Sequence, residues 1–352
     1  MNTQATDYGL FSRLLHRLVL GSDALALASF DLERFRYLSK CPTIDSNPVF
    51  VSGLARAGTT LLMRLLHETG EFASLVYRDM PFVLAPNLWS ALRGSASNTG
   101  QMRERAHGDG LLVGVDSPEA LEEVFWRVHC RKDYIGSDGL LPMRASDEVI
   151  CRFREYIALV LLSREGGRYL SKNNNNVFRL ADIRRAFPSA HIVVPFREPL
   201  AQANSLLNQH RRFCQMQKSD PFVRKYMSWL VHHEFGLDHR PFAVGTHPLN
   251  HAERENESYW LDLWIRVYSH LLSLSRSPEL DLVFFNYDEF CRSPGMVWDS
   301  LSGKLAISSQ LPAGIQITPG PVADAGWSVD SKRLAEAREI QAGLEDISLD
   351  LR

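Results

Sequence analysis

Two stretches of the chain join a short apolar run to a turn and then to a helical pattern. In the first, Val49–Val51 is suited to a buried parallel strand. The apolar residues that then recur at helical spacing are Leu61, Leu62, Leu65 and Leu66. In the second, the apolar run 191–196 closes at Arg197, and Pro199 suits the first turn of a helix. Both stretches predict a strand that leads through a turn into a helix.

Further patterns complete the outline of the chain. Arg168–Lys172 is a predicted strand, Asn173–Asn176 a predicted turn, and Tyr259–Leu274 a predicted core helix with a broad apolar stripe. The run from Leu10 to Val19 is amphipathic, and its charged residues exclude a transmembrane span there. We expect this N-terminal helix to pack on the domain or on a partner subunit, with peripheral membrane contact as the alternative.

The loop between the first strand and its helix almost matches a phosphate-binding P-loop. Gly53 and Gly58 keep the glycine spacing, but Thr59 stands where a nucleotide-hydrolysing loop has lysine. The cation of this loop is Arg56. Free amides at the helix start favour a bound anion, and the missing lysine argues against ATP hydrolysis. The alternative is a glycine turn that binds nothing.

The turn after the run 191–196 offers a second set of phosphate ligands. Ser205 lies eight residues beyond Arg197, about two helical turns into the predicted helix. A guanidinium and a hydroxyl so placed are suited to one phosphate monoester. The alternative is that Arg197 pairs with Glu198 and Ser205 lies on the helix surface.

Together these stretches resemble the sulfotransferase family that uses 3′-phosphoadenosine 5′-phosphosulfate (PAPS). The residues that match its R/K-x-G-T-T loop and its later Arg…Ser pair are Arg56, Gly58, Thr59, Thr60, Arg197 and Ser205. Lys172–Leu180 with Phe187–Pro188, and Val283–Phe290 with Ser293–Pro294, resemble two further motifs of the family. The resemblance spans roughly residues 48–300.

The resemblance implies a mostly parallel three-layer α/β sandwich of the P-loop type, with helical insertions. It implies PAPS as donor, adenosine 3′,5′-bisphosphate as product and no metal. The implied donor-binding residues are Arg56, Ala57, Gly58, Thr59, Thr60, Arg197 and Ser205, and the implied charge-stabilising residues are Arg56 and Lys172. The domain would cover 46–330, between a helical segment at 1–45 and a helical tail at 331–352. An insertion at 213–258 would form part of the acceptor site.

The general base cannot be carried over from cytosolic family members, whose histidine position is occupied here by Asn174. Other branches take a carboxylate after the P-loop helix, which makes Asp79 the first candidate, with Arg78 as its partner. His107, in a glycine-rich loop, is the second. Glu122 or Glu123 is the third, and adjacent helix carboxylates should not both point inward. The alternative for Asp79 is a surface Arg–Asp pair before a turn proline, and the alternative for His107 is a loop histidine without a catalytic role.

Composition limits the partners. A net charge of −2 over 352 residues argues against nucleic acid as partner. The five cysteines are scattered without metal-ligand spacing, which indicates a reducing compartment and favours the cytoplasm. His232, His233 and His239 also lack such spacing, so no metal is expected.

The reaction expected is sulfuryl transfer to a hydroxyl, or less often an amine. The acceptor would be a small molecule, a carbohydrate or a lipid-like compound, and a homo-oligomer is possible. The alternatives are a nucleotide or small-molecule kinase on the same fold, and a nucleotide-binding protein without catalytic activity.

Overall fold

A five-stranded parallel sheet forms the centre of the computed structural model. The structure describes residues 10–44, 46–94, 103–104, 112–114, 116–245, 249–319, 327 and 329–349. Strand order is β2-β5-β1-β6-β7, and every pairing is parallel. The strand bounds are β1 Val49–Val51, β2 Phe72–Ala73, β5 Arg168–Lys172, β6 His191–Phe196 and β7 Leu282–Asn286. A separate antiparallel pair consists of β3 Arg103–Glu104 and β4 Leu112–Val113.

Helices surround this sheet and follow most of its strands. The bounds are α1 Leu10–Leu20, α2 Asp23–Tyr37, α3 Thr59–Glu68, α4 Pro86–Arg93, α5 Glu123–Tyr134, α6 Asp147–Ser163, α7 Leu180–Ala186, α8 Pro199–Ser219, α9 Pro221–Trp229, α10 Glu257–Leu274, α11 Tyr287–Arg292, α12 Pro294–Leu305 and α13 Ser331–Asp346. Short 3-10 turns add Leu38–Lys40, Tyr77–Asp79, Asn174–Phe178 and His251–Glu253. No helix in the described part of the chain is long and apolar enough to cross a membrane.

The two faces of the sheet bury two separate hydrophobic cores. Val49 and Val51 of β1 belong to one core, which includes residues of α3 and α12. Phe50 points to the other face, where the larger core includes residues of α5, α6, α8 and α10. Alternation along a strand covered on both sides explains the continuous apolar run. The predicted three-layer α/β fold is confirmed.

The role of 213–258 as an insertion stays a prediction, but the structure shows which elements this segment contains. Residues 213–219 continue α8, and α9 follows almost at once, so much of this segment is helical. Its helical period is obscured because α8 buries polar side chains such as His210 and Gln217. α13 contributes Ala337, Ile340 and Leu344 to the larger core, which also contains Leu20 of α1. The division of the chain at 45 and 330 stays a prediction.

Candidate active site

The glycine loop after β1 ends at an uncapped helix. Gly58 adopts φ +81°, which favours glycine, and no side chain within the described ranges caps the first turn of α3. A Cβ atom at Gly58 would lie 2.2 Å from Cδ2 of Tyr287. Arg56 also takes a left-handed conformation, with φ +69°. The loop therefore presents first-turn amides where an anion can bind.

α8 holds the loop from behind. Gln202 is fully buried, and its Nε2 donates to the carbonyl oxygen of Ala55 at 2.9 Å. Its Oε1 accepts from Nε1 of Trp264 at 3.0 Å. Sequence reasoning missed Gln202, because its partners on the loop and on α10 are distant along the chain. These contacts fix the loop before any ligand binds.

The two predicted phosphate-binding elements meet in the structure. Nε of Arg56 donates to Oγ of Ser205 at 3.0 Å, across 149 residues of sequence. Nη1 of Arg197 donates to the carbonyl oxygen of Arg56 at 3.4 Å. Asp288 orients the same turn: its Oδ2 accepts from the amide of Glu198 at 2.6 Å, and its Oδ1 lies 3.5 Å from Nε of Arg197. Two arginines and a hydroxyl thus gather beside the start of α3.

Lys172 ends β5 beside this loop. It lies opposite Val51 in the parallel register, and the next amide, of Asn173, donates to the carbonyl oxygen of Val51 at 3.0 Å. The side chain of Lys172 is 7% exposed. The buried turn that follows confirms the predicted turn at Asn173–Asn176.

The carboxylates of Glu122 and Glu123 both point inward, contrary to the expectation that at most one would. Arg179 forms a bidentate pair with Glu123, at 2.6 and 2.9 Å, and Tyr134 and Asn173 donate to the same carboxylate. Burial opposes ionisation of Glu123, but Arg179 and these hydrogen bonds hold its pKa below the usual value. Both carboxylates are inward because their partners come from different elements.

Glu122 is bound in the same network. Its Oε1 accepts from Nε1 of Trp126 and Nδ2 of Asn176, each at 3.1 Å. Its Oε2 accepts from the hydroxyl of Tyr169 at 3.0 Å. Glu122 and Glu123 therefore have the contacts of structural groups.

Asp79 is 4% exposed and forms an ion pair with Arg164. Its Oδ2 also accepts from the amide of Val76 at 2.8 Å, which closes the 3-10 turn that contains it. Arg78, which the sequence predicted as its partner, pairs instead with Asp116 at 2.6 Å. The role of Asp79 as base stays a prediction. His107 lies outside the described residues.

A carboxylate that sequence reasoning did not select lies over the asparagine turn. Nδ2 of Asn174 donates to Oε1 of Glu234 at 2.9 Å, and Nδ1 of His232 is 3.8 Å from Oε2. The local signal was a dense group of histidines and acids between 232 and 239 in an aromatic segment. Nothing in that signal indicated that the group reaches β5.

One His/Cys/Glu group in the described part of the chain has the proximity of metal ligands: His210, Cys214 and Glu255 have ligand atoms within 4.8 Å of one another. The amide of Gly236 donates to Nδ1 of His210 at 3.2 Å. The neutral ring therefore carries its proton on Nε2, the atom that faces Cys214 and Glu255. This tautomer does not suit metal binding through Nε2.

Comparison with models of protein families identifies one family. A model of the sulfotransferase family matches residues 48–240. No curated protein sequence matches the chain significantly.

Several solved structures are similar to the chain. Sulfotransferase STF1 from Mycobacterium tuberculosis is 14% identical, with a TM-score of 0.49, over 97% of this chain and 82% of that chain. Sulfotransferase STF9 from Mycobacterium avium is 14% identical, with a TM-score of 0.48, over 96% of this chain and 79% of that chain. A sulfotransferase from Alicyclobacillus acidocaldarius is 12% identical, with a TM-score of 0.42, over 86% of this chain and 96% of that chain.

Proposed function

The chain belongs to the sulfotransferase family, and we propose that it transfers a sulfuryl group from PAPS to a hydroxyl, or less often an amine. The observation that carries this proposal is the meeting of Arg56, Arg197 and Ser205 beside an uncapped helix start. The two phosphate groups of one donor nucleotide, at its 5′ and 3′ positions, require two sets of protein ligands on one surface. A glycine turn without a ligand has no need of the second set.

The residues present fit this donor. The amides of Ala57, Gly58, Thr59 and Thr60 would bind the 5′-phosphosulfate at the start of α3, assisted by Arg56. Arg197 and Ser205 would bind the 3′-phosphate. Oγ of Ser52, next to the loop, is buried and has no hydrogen-bond partner among the described residues, so a bound anion or its water could satisfy it.

The chemistry requires positive charge where negative charge develops. Arg56, in the loop after β1, and Lys172, at the end of the neighbouring strand β5, would stabilise the sulfuryl oxygens and the leaving phosphate oxygen. The acceptor would be held in line with that oxygen, and a carboxylate would take its proton. The acceptor would be a small molecule, a carbohydrate or a lipid-like compound.

The cysteines bear on the cellular compartment of the enzyme and on its need for a metal. We propose a cytoplasmic enzyme that needs no metal, because all five cysteines are free thiols and are scattered in sequence. Activity after treatment with EDTA tests whether the enzyme needs a metal. Full retention of activity is expected, and a loss of activity that a divalent ion restores would contradict the proposal.

Calorimetry with adenosine 3′,5′-bisphosphate and adenosine 5′-monophosphate tests the donor site. The bisphosphate should bind more tightly by about 1.5–3 kcal/mol, the value of a charge-assisted hydrogen bond. Arg197→Ala should narrow this difference, whereas Thr60→Ala should weaken both ligands. Equal affinity of the unaltered protein for the two nucleotides would remove the assignment of Arg197 and Ser205.

A further inference from the structure

We infer that Glu234 is the general base of the proposed sulfuryl transfer and that Asn174 positions it. This inference rests on the proposed function. Asn174 lies two residues beyond Lys172, at the carboxyl end of β5 and beside the loop that would bind the donor. Its Nδ2 donates to Oε1 of Glu234 at 2.9 Å. The carboxylate is thereby placed at the edge of the sheet where the acceptor must approach.

Among the described residues, Glu234 differs from Asp79 and Asp288 in having no arginine within ion-pair distance. Within the described ranges its carboxylate accepts one hydrogen bond, from Asn174, and its side chain is 12% exposed. Among the described residues, the ion-pair partner of Oε2 is Nδ1 of His232, at 3.8 Å, which is beyond hydrogen-bond distance. By contrast, Asp79 pairs with Arg164 through Oδ2, and Oδ1 of Asp288 lies 3.5 Å from Nε of Arg197. A general base needs an oxygen that can accept a further proton.

The backbone before Glu234 is held in an unusual conformation. Val231 has φ +54°, which is rare for a β-branched residue. The carbonyl oxygen of Val231 accepts from Nδ2 of Asn175 at 3.3 Å, and the amide of His232 donates to the carbonyl oxygen of Met227 at 2.9 Å. Such strain persists only where surrounding contacts over-determine it, and it occurs often at functional sites. Here it turns the chain at the end of α9 and brings Glu234 onto Asn174.

Asn174 provides an independent indication that a molecule binds here. The residue is 3% exposed, and its Oδ1 has no hydrogen-bond partner among the described residues. A buried carbonyl oxygen without a donor is costly, and a bound hydroxyl, amine or water can supply one. One end of the amide holds Glu234, and the other can accept from a bound acceptor.

The proposed transfer forms one bond to sulfur and breaks another. A lone pair of the acceptor hydroxyl oxygen forms the new bond to sulfur, and the bond from sulfur to the bridging oxygen breaks. The electron pair of that bond goes to the 5′-phosphate oxygen of adenosine 3′,5′-bisphosphate, and the hydroxyl proton goes to Oε2 of Glu234. An amine acceptor loses its proton in the same way.

The test uses PAPS labelled in its sulfuryl group and a cell extract as the source of acceptors. Glu234→Gln should lower the rate of labelling by about 10²–10⁴-fold, the usual contribution of a positioned base. Glu234→Asp should recover part of that loss, because it restores a basic oxygen. Glu255→Gln, at a half-exposed carboxylate of the same segment, is the matched control and should label at the normal rate.

Binding of adenosine 3′,5′-bisphosphate, measured in the same preparations, separates the possible failures. Normal labelling by Glu234→Gln would overturn the assignment of the base and leave the proposed function intact. Normal stability with strongly reduced labelling in Asp79→Asn would also overturn it, in favour of Asp79. Absence of labelling by the unaltered protein, together with no preference for the bisphosphate over adenosine 5′-monophosphate, would overturn both proposals. Asn174→Ala should lower the maximal rate without weakening nucleotide binding, and an unchanged rate would contradict its positioning role.

Discussion

The asparagines at 173–176 join two regions of opposite character. On the inner side, Asn173 and Asn176 donate to Glu123 and Glu122, which belong to a buried and extensively hydrogen-bonded network. On the outer side, Asn174 donates to Glu234, which is partly exposed and retains hydrogen-bonding capacity. The same type of hydrogen bond, from a side-chain amide to a carboxylate, thus occurs in a buried structural network on one side and at a partly exposed carboxylate on the other.

The difference shows how to distinguish a structural carboxylate from a reactive one. A buried charge is tolerated when every oxygen has a partner, as the Arg179 pair provides for Glu123. The same partners keep the proton off Glu123, since they hold its pKa below the usual value against the effect of burial. Burial and a carboxyl group together therefore do not identify a base.

The largest effect on folding is expected in the inner network. Arg179→Met would leave the carboxylate of Glu123 buried and unpaired, and should lower the free energy of unfolding by about 3–5 kcal/mol. Urea unfolding measures this loss. The control is Arg224→Met, which breaks an exposed pair with Asp238 and should cost less than about 1 kcal/mol. Equal losses in the two variants would contradict the distinction between buried and exposed pairs.

Loss of the Asp79–Arg164 pair should lower the free energy of unfolding by less than loss of the Arg179–Glu123 pair. Asp79→Asn weakens contacts to Arg164 and to the Val76 amide, and should cost about 1.5–3 kcal/mol of unfolding free energy. Thermal unfolding checks this, and rates of labelling per folded molecule should stay within a few fold of normal. His107→Gln, at the other base candidate of the sequence, should likewise have a mild effect on rate.

Three buried histidines that contact one another near Glu234 should respond to acid before the inner network does. Burial lowers the pKa of His210 and of His233 to about 4 and that of His239 to about 3. The unfolded chain therefore binds more protons than the folded one between about pH 6.5 and 4, and stability falls as pH falls through this range. His233→Gln should make this fall less steep, because it removes one of the three groups. Urea midpoints measured between pH 7.5 and 4.5 provide the slopes, and equal slopes in the variant and the unaltered protein would contradict the assignment.

The smallest change in the free energy of unfolding is expected for substitution of Glu234. Glu234→Gln keeps the size of the side chain and an oxygen that can accept from Asn174. The free energy of unfolding should therefore change by less than about 1 kcal/mol. A loss comparable with that of Arg179→Met would place Glu234 among the structural carboxylates, and the comparison between the two sides of the asparagine turn would fail.

The sequence allowed the fold and the donor side to be predicted, because their signals are local. Strand β1, the glycine loop and α3 occupy one continuous stretch, and Arg197 and Ser205 are fixed relative to each other by one turn and one helix. The parallel sheet then brings the two elements together at the carboxyl ends of its strands.

The acceptor side could not be predicted in the same way. Asp79 is paired with a residue 85 positions away, and Glu234 reaches Asn174 across 60 positions. Neither contact has a period or a spacing that reveals it, because each depends on how separate helices end and turn. The two adjacent glutamates are buried together only because several elements supply their partners.

Transfer of label from PAPS tests the central claim most directly. The protein is incubated with a cell extract and either sulfuryl-labelled PAPS or γ-phosphate-labelled ATP, and the products are identified by mass. We predict a labelled product from PAPS that depends on Arg197 and Glu234, and none from ATP. Transfer from ATP without dependence on PAPS, or no transfer from PAPS to any component of the extract, would contradict the account.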